Sequence, residues 1–222
     1  ETQAAGIFIE HWSLPATTFS GDVLSISTAP DGKIFALLAD ATGHGLAAAI
    51  TTLPLLTVYH SMVDSGAPIR SILAVANRTL LDNLPSGRFI AVSMLCIDTA
   101  QQSIELWNGG MPEMLMLDAR GEVTQRFISH GIPLGVISRS IEDFETETIH
   151  MLPGTQLIVY SDGISEARNP AAEEFGMTQF EQTLAASPAA ARIQHIKEAL
   201  RQHLKMPSGH DDITLMTVLC AQ

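Results

Sequence analysis

The stretch from Ile34 to Gly45 constrains the fold and chemistry of this chain more than any other. Its apolar start, Ile34 to Ala39, is typical of a buried β-strand, and that strand ends at Asp40. The turn Gly43-His44-Gly45 follows, and an alanine-rich helix is predicted from Leu46. A carboxylate at a strand end is held by a rigid element and still reaches solvent, which suits a metal ligand or a catalytic group.

A predicted hairpin places a second aspartate beside Asp40. Residues 23–28 are strand-like, and Pro30-Asp31-Gly32 is a turn signal before the next strand. In a hairpin about Asp31, Asp22 lies opposite Asp40, because the start of one antiparallel strand faces the end of the next. Two carboxylates so close repel each other unless a cation or a proton compensates.

A similar arrangement recurs in the C-terminal part of the chain. The apolar strand 155–160 is followed by Ser161-Asp162-Gly163, and the acidic pair Asp211-Asp212 precedes a final strand over 213–219. If these strands run antiparallel side by side, Asp211 or Asp212 falls next to Asp162. Each acidic site alone is typical of a turn, but four of them at matching strand ends favour one shared site.

The rest of the pattern places helices in pairs between blocks of strands. Helices are predicted over about 46–63, with a kink or break at Pro54, over about 69–83, after a Thr178/Glu181 capping box, and from Ser187-Pro188 to Leu204. Further strands are predicted over 89–97, 103–107, 114–117, 123–127 and 144–150. We therefore expect an α+β fold of antiparallel sheets covered by helices.

The predicted ligands indicate a hard cation. Carboxylates without neighbouring cysteines or paired histidines favour Mg²⁺ or Mn²⁺. Four or more acidic groups suffice for two ions about 3.5–4 Å apart that activate a water against a phosphate ester. Glycines at four positions would let backbone carbonyls and waters approach closely: Gly21, Gly43, Gly45 and Gly163.

Other polar residues near these motifs have more than one interpretation. His44 could shuttle a proton, contact substrate or begin the helix. Glu166 and Asn169 could line the pocket, but an ordinary solvated loop is the favoured interpretation. The segment from Asn108 to Pro112 is interpreted as a structural turn near the site.

Composition limits the partners and the compartment. The net charge of −12 argues against nucleic acid as a partner, since phosphate backbones require a basic surface. Cys96 and Cys220 lie in apolar runs, which is typical of free thiols in a reducing compartment, and we expect the cytoplasm. No run reaches the roughly 18 consecutive apolar residues of a membrane span.

The length of 222 residues suits a single domain. We expect that domain to cover residues 1–222, with 1–19 as an unassigned N-terminal lead-in. Because the sequence starts at Glu1 without a methionine, we expect a fragment of a longer, regulated chain.

Five motifs occur together over roughly residues 20–220. They are Ser20-Gly21-Asp22, Asp40-Ala41-Thr42-Gly43-His44-Gly45-x-x-Ala48, Gly131-x-Pro133-Leu134-Gly135, Ser161-Asp162-Gly163-x-x-Glu166-Ala167 and Asp211-Asp212-Ile213-Thr214. In this order and spacing they resemble the SpoIIE/RsbU-type branch of the PPM metal-dependent serine/threonine phosphatases, and the combination makes the resemblance specific.

The resemblance implies an α-β-β-α sandwich with two metal ions at one end of two mainly antiparallel sheets. It implies that Asp40 bridges both ions, with the Ala41 carbonyl as a further ligand and Asp22 as a direct or water-mediated ligand. Asp162 and Asp211 would hold the second ion, and Asp212 is the less favoured member of its pair.

The family also implies a substrate: a phosphoserine on a STAS-domain anti-anti-sigma protein. Members are often joined to receiver or sensor domains, while dimerisation and the activating signal stay open. Two alternatives remain, a pseudophosphatase that docks a partner without catalysis and a hydrolase of small phosphoesters. The chain departs from the usual motifs at Ser20, Ala41-Thr42 and Met111, and none of these departures removes a carboxylate.

Overall fold

The computed structural model describes residues 2–4, 6–205 and 211–221. The strands are β1 (Thr2–Ala4), β2 (Ile7–Leu14), β3 (Asp22–Thr28), β4 (Ile34–Ala41), β5 (Ile90–Asp98), β6 (Ser103–Gly109), β7 (Met114–Leu117), β8 (Val123–Phe127), β9 (Glu147–His150), β10 (Gln156–Tyr160) and β11 (Ile213–Cys220). The α-helices are α1 (Gly45–Asp64), α2 (Ile69–Asn83), α3 (Gly176–Ala185) and α4 (Arg192–Leu204).

The strands form two sheets whose neighbours run antiparallel. The six-stranded sheet has the order β1-β2-β11-β10-β7-β8, and the five-stranded sheet has the order β3-β4-β5-β6-β9. The second order follows the order of the strands in the chain, although α1 and α2 connect β4 to β5 and the chain passes through β7 and β8 between β6 and β9. The first order brings the N-terminal β2 against the C-terminal β11. The six-stranded sheet therefore depends on contacts between the two ends of the chain.

Successive side chains of β4 point to opposite faces of its sheet and so belong to two different hydrophobic cores. Ile34, Ala36 and Leu38 pack between the sheets, while the residues between them face α1 and α2. Strand β10 likewise turns Ile158 and Tyr160 toward α3 and α4. The predicted four-layer α-β-β-α sandwich is confirmed. The same alternation turns Asp40 toward the space between the sheets.

The N-terminal residues contribute a full strand. Strand β2 pairs with β11 from Ile7 opposite Cys220 to Leu14 opposite Ile213, and Pro15 follows its end. Residues 7–14 are thus part of the six-stranded sheet, and the chain after them runs toward the start of β11.

Two predicted details are wrong, and a third is settled in part. Of the kink or break expected at Pro54, the break is absent, since α1 continues through Pro54. Helix α3 begins at Gly176, which places Thr178 inside the helix rather than at its cap, and Glu181 instead pairs with Arg126 at 2.7 Å. Strand β9 begins only at Glu147, because the preceding residues form a short 3₁₀ turn and a loop.

Helix α1 is the one helix of the described residues long and apolar enough to cross a membrane by length and composition alone. Helices that cover a sheet can pass the same test. One face of α1 is buried in the core of the five-stranded sheet through Leu55, Tyr59 and Val63, and the Tyr59 hydroxyl donates to the Phe35 carbonyl at 2.8 Å.

Candidate metal centre

The hairpin of β3 and β4 brings the first two acidic residues together. Asp22 is the first residue of β3 and lies directly opposite Asp40 in the antiparallel register. This register is the predicted one and is confirmed. Because β4 turns Asp40 inward and Asp22 is its cross-strand partner on the same face, both carboxylates belong to the end of the space between the sheets.

The other sheet brings its acidic residues to the same end. Strands β10 and β11 are antiparallel neighbours with Tyr160 opposite Leu215, and the Ser161 amide donates to the Thr214 carbonyl at 3.0 Å. Asp162, which follows β10, therefore lies beside the residues that precede β11, as predicted. Of the motif before β11, residues 208–210 lie outside the described residues.

Asp40 is the electrostatic centre of the cluster. Burial raises its pKa to about 8, and four other carboxylates, of Asp22, Asp162, Asp211 and Asp212, add to the rise. Carboxylates from both sheets therefore act on Asp40. A buried group in such a field retains its proton at neutral pH unless a cation replaces the proton.

The pKa values of Asp22 and Asp162 are also raised, in both cases chiefly by burial. Burial raises the pKa of Asp22 to about 7; the hydroxyls of Ser161 and Thr214 oppose the shift, and neighbouring carboxylates reinforce it. The pKa of Asp162 is also raised, first by burial and then by Asp211. The negative field extends to exposed Glu166, whose pKa is raised chiefly by Asp162.

The hydrogen bonding of Asp22 bears on whether the cluster fits a cation. The Asp22 Oδ2 atom is buried and has no hydrogen-bond partner among the described residues. A buried carboxylate oxygen without a donor is costly, because burial removes its hydrogen bonds to water without replacing them. A bound cation would satisfy it, so these residues fit a metal ion.

The carboxylates do not form a complete set of protein ligands around one metal position. Among the described ranges, no group of three or more acidic, histidine or cysteine side chains is arranged to hold a metal ion by itself. Mg²⁺ characteristically keeps several waters and takes only one or two carboxylates. An open, partly hydrated site is consistent with that preference.

Asp212 has a different role from its neighbour Asp211. Its Oδ1 accepts the Ala16 amide at 2.8 Å, its Oδ2 accepts the Gly21 amide at 2.6 Å, and the residue is 3% exposed. Both oxygens are thus occupied in holding the segment before β3 against the start of β11. This arrangement supports the expectation that Asp211, rather than Asp212, serves as the ligand.

Two glycines permit the close approach of backbone around the cluster. A Cβ atom at Gly163 would lie 2.1 Å from the Asp212 carbonyl oxygen, so no side chain fits there. A Cβ at Gly21 would lie 3.1 Å from the Gly43 carbonyl oxygen and 3.2 Å from that of Ala41. Gly21 therefore brings the segment before Asp22 close to the carbonyls that follow Asp40.

The other polar residues that the sequence singled out do not belong to the carboxylate cluster. His44 is exposed at the N-cap of α1 and makes no side-chain cap bond. The Asn169 Oδ1 atom accepts the Ala171 and Glu173 amides, so this side chain shapes its own loop. Asn108 bonds to Met111 and Pro112, which makes the predicted turn there structural.

Sequence reasoning missed Arg88. This residue lies between α2 and β5, and its Nη1 donates to the Thr42 carbonyl, two residues beyond Asp40. The two residues are 46 positions apart, and no motif spacing links them. Only the fold brings them together.

An acidic site at one end of two helix-flanked antiparallel sheets defines the class of PPM-type phosphatase domains. The chain belongs to the SpoIIE family, because the family described as Stage II sporulation protein E (SpoIIE) matches residues 30–220.

Individual relatives agree with this assignment. The chain is 23% identical over 208 residues to phosphoserine phosphatase RsbU of Bacillus subtilis (strain 168), covering 93% of this chain and 61% of RsbU. The RsbU and RsbW domains of Rv1364c from Mycobacterium tuberculosis superpose with a TM-score of 0.81 at 20% identity, covering 97% of this chain and 60% of that one. RsbX in complex with magnesium gives a TM-score of 0.70 at 17% identity, covering 98% and 96%.

The curated relatives are longer than the matched region. The chain spans 19–61% of the length of those it matches. The likeness to solved structures establishes the fold.

The contrast between Asp212 and Asp211 gives a first prediction. We expect Asp212→Asn to lower stability by about 1–3 kcal/mol, because the amide replaces an acceptor with a donor that faces a backbone N–H. Asp211→Asn should lower the stability less, because the asparagine Oδ1 can still accept the Asp212 amide that Asp211 Oδ1 accepts at 2.8 Å, and it should weaken Mn²⁺ binding. Chemical denaturation in EDTA and calorimetry with Mn²⁺ measure both effects, and equal losses of stability in the two variants would contradict the assignment.

Proposed function

We propose that this domain is a metal-dependent protein phosphatase that removes phosphate from phosphoserine or phosphothreonine. The observation that carries the proposal is the convergence of carboxylates from both sheets on Asp40, together with the unsatisfied Oδ2 of Asp22. The name of the relative RsbU, a phosphoserine phosphatase, supports the same reaction.

We assign the metal ligands from their positions at the strand ends. Asp40 would bridge two Mn²⁺ or Mg²⁺ ions, with Asp22 and the Ala41 carbonyl toward one ion and Asp162 and Asp211 toward the other. When bound, the ions would supply Lewis-acid chemistry, which lowers the pKa of an attacking water and neutralises phosphoryl charge. The magnesium in RsbX is consistent with this metal class.

The other residues of the chain orient this set. Asp212 holds Gly21, and with it Asp22, at a fixed distance from β11. Gly163 lets Asp162 approach the Asp212 backbone. Burial at the end of the space between the sheets limits water around Asp40, which strengthens electrostatic interactions with the phosphoryl group.

The biological substrate and setting are proposals from family membership. We infer a serine-phosphorylated STAS-domain anti-anti-sigma protein as substrate, and a receiver or sensor domain elsewhere in the full-length protein. A homodimer is compatible with such regulation. Two buried free thiols, Cys96 and Cys220, suit the proposed cytoplasmic location.

The test is phosphate release from a serine-phosphorylated STAS-domain protein, with Mn²⁺ and with EDTA. We expect release only with Mn²⁺, and a higher kcat/KM than for p-nitrophenyl phosphate. Equal kcat/KM for the two substrates would favour a small-phosphoester hydrolase. Absence of release with Mn²⁺, alongside tight binding of the phosphoprotein, would favour the docking module.

A further inference from the structure

We propose that Arg88 is a positioning residue that sets the direction of the backbone carbonyls after Asp40 and thereby strengthens metal binding. The inference rests on the proposed metal site, and specifically on the Ala41 carbonyl as one of its ligands. It adds a residue from outside the five motifs, contributed by the loop between α2 and β5.

The segment Ala41-Thr42-Gly43 presents its carbonyls in different directions. The Ala41 and Gly43 oxygens lie against Gly21, at 3.2 and 3.1 Å from where a Cβ there would stand. Gly21 immediately precedes Asp22, so these two oxygens lie beside the backbone that leads into the acidic cluster. The intervening Thr42 carbonyl instead accepts a hydrogen bond from the Arg88 guanidinium.

Arg88 and its neighbour hold Thr42 at several points. The Thr42 amide donates to the Phe89 carbonyl at 3.2 Å, and the Thr42 hydroxyl donates to the same oxygen at 3.3 Å. The Thr42 amide shares a peptide unit with the Ala41 carbonyl, and the Phe89 carbonyl holds that unit. The Thr42 carbonyl belongs to the next unit, which Arg88 holds. Because both units that flank the Thr42 Cα are tied to residues 88–89, Arg88 and Phe89 together restrain the direction of the Ala41 carbonyl.

The arrangement depends on glycine at position 43. A Cβ atom at Gly43 would lie 2.8 Å from the Arg88 Nη1, and the backbone there has φ of +90°, which L side chains rarely adopt. Gly43 therefore both permits the turn and leaves room for the guanidinium. This gives a physical reason for the glycine that follows Asp40-Ala41-Thr42.

The charge of Arg88 is directed to this contact. In the described part of the chain Arg88 forms no ion pair, whereas five other basic side chains do, those of Lys33, Arg78, Arg126, Arg168 and Arg201. A hydrogen bond from an ionised donor to a carbonyl is stronger than one between neutral groups. Residues that orient metal ligands from outside typically change metal affinity about 10–100-fold when substituted.

The experiment compares Arg88→Met and Arg88→Lys with the wild type by calorimetric titration with Mn²⁺. We expect Arg88→Met to raise the Kd about 10-fold, and Arg88→Lys to recover much of the loss because lysine can still donate to the Thr42 carbonyl. Arg78→Met, which removes an exposed arginine of α2, is the matched control and should bind Mn²⁺ like the wild type.

Kinetics and stability separate this role from others. At limiting Mn²⁺ the kcat of Arg88→Met should fall and should recover at saturating Mn²⁺, with KM for the phosphoprotein unchanged. An unchanged Mn²⁺ Kd in Arg88→Met would overturn the inference, and so would a raised KM without a metal defect, which would make Arg88 a substrate contact.

Two further outcomes remain decisive. If Arg88→Met melts well below the wild type in EDTA, Arg88→Lys becomes the variant that decides. Folded Arg88→Lys should keep a Kd for Mn²⁺ within a few-fold of the wild-type value. A loss of Mn²⁺ affinity as large as that caused by substituting a metal ligand would overturn the inference. A wild type that binds no Mn²⁺ would remove the proposed function itself. If the wild type binds Mn²⁺ and Arg88→Met binds it with the same affinity, only the proposed role of Arg88 is lost.

Discussion

Asp40→Asn is expected to lower kcat/KM for a phosphoserine protein in the presence of Mn²⁺ on the order of 10³-fold, since metal ions stabilise such a transition state by several kcal/mol. Asparagine keeps the size of the side chain and removes the charge that would bridge two ions. Asp40 is also the carboxylate on which the other four act. No other single substitution removes as much of the proposed site.

The control for this substitution is Asp64→Asn, which removes an exposed aspartate from the last turn of α1. It should leave kcat/KM within a factor of two. Phosphate release measured over a range of Mn²⁺ concentrations also shows whether excess metal rescues Asp40→Asn. An Asp40→Asn variant as active as the wild type would contradict the assignment of Asp40 as the bridging ligand.

Without metal, the stability of the domain should fall as the pH rises from about 4 to 8. The folded pKa values of Asp22 and Asp40, about 7 and 8, lie above the ordinary aspartate pKa of 3.8. Between those limits the unfolded chain releases protons that the folded state retains, so the free energy of unfolding decreases with pH. We expect a loss on the order of a few kcal/mol that levels off above about pH 8.

Asp40→Asn isolates this effect from other titrating groups. In EDTA at pH 8 the variant should melt above the wild type, because the repulsion at Asp40 is gone, and this advantage should shrink toward pH 4. Saturating Mn²⁺ should stabilise the wild type most at high pH, where both carboxylates are ionised. An Asp40→Asn variant that is less stable than the wild type in EDTA at pH 8 would contradict the picture of a repulsive apo cluster.

Local rules were sufficient to predict the core of the site. The turn at Asp31 and the alternation of β3 and β4 determine that Asp22 lies opposite Asp40. The same logic places Asp162 beside the start of β11. In both places an antiparallel neighbour fixes the register, so a sequence pattern is enough to locate a cross-strand pair.

Features that depend on distant contacts were not predictable. Asp212 receives the Ala16 and Gly21 amides from residues 196 and 191 positions away, and the sequence pattern does not indicate which loop reaches a given carboxylate. The pairing of β2 with β11 has the same origin. The Thr178/Glu181 prediction was wrong because α3 begins earlier and Arg126 offers Glu181 a stronger partner.

The most direct test of the account is a calorimetric titration of the wild-type domain with Mn²⁺ at pH 8, starting from metal-free protein. We expect two ions per chain, with binding abolished or reduced to a single weak ion in Asp40→Asn. Folded wild-type protein that binds no Mn²⁺ or Mg²⁺ would contradict the central claim that these carboxylates form a binuclear metal site.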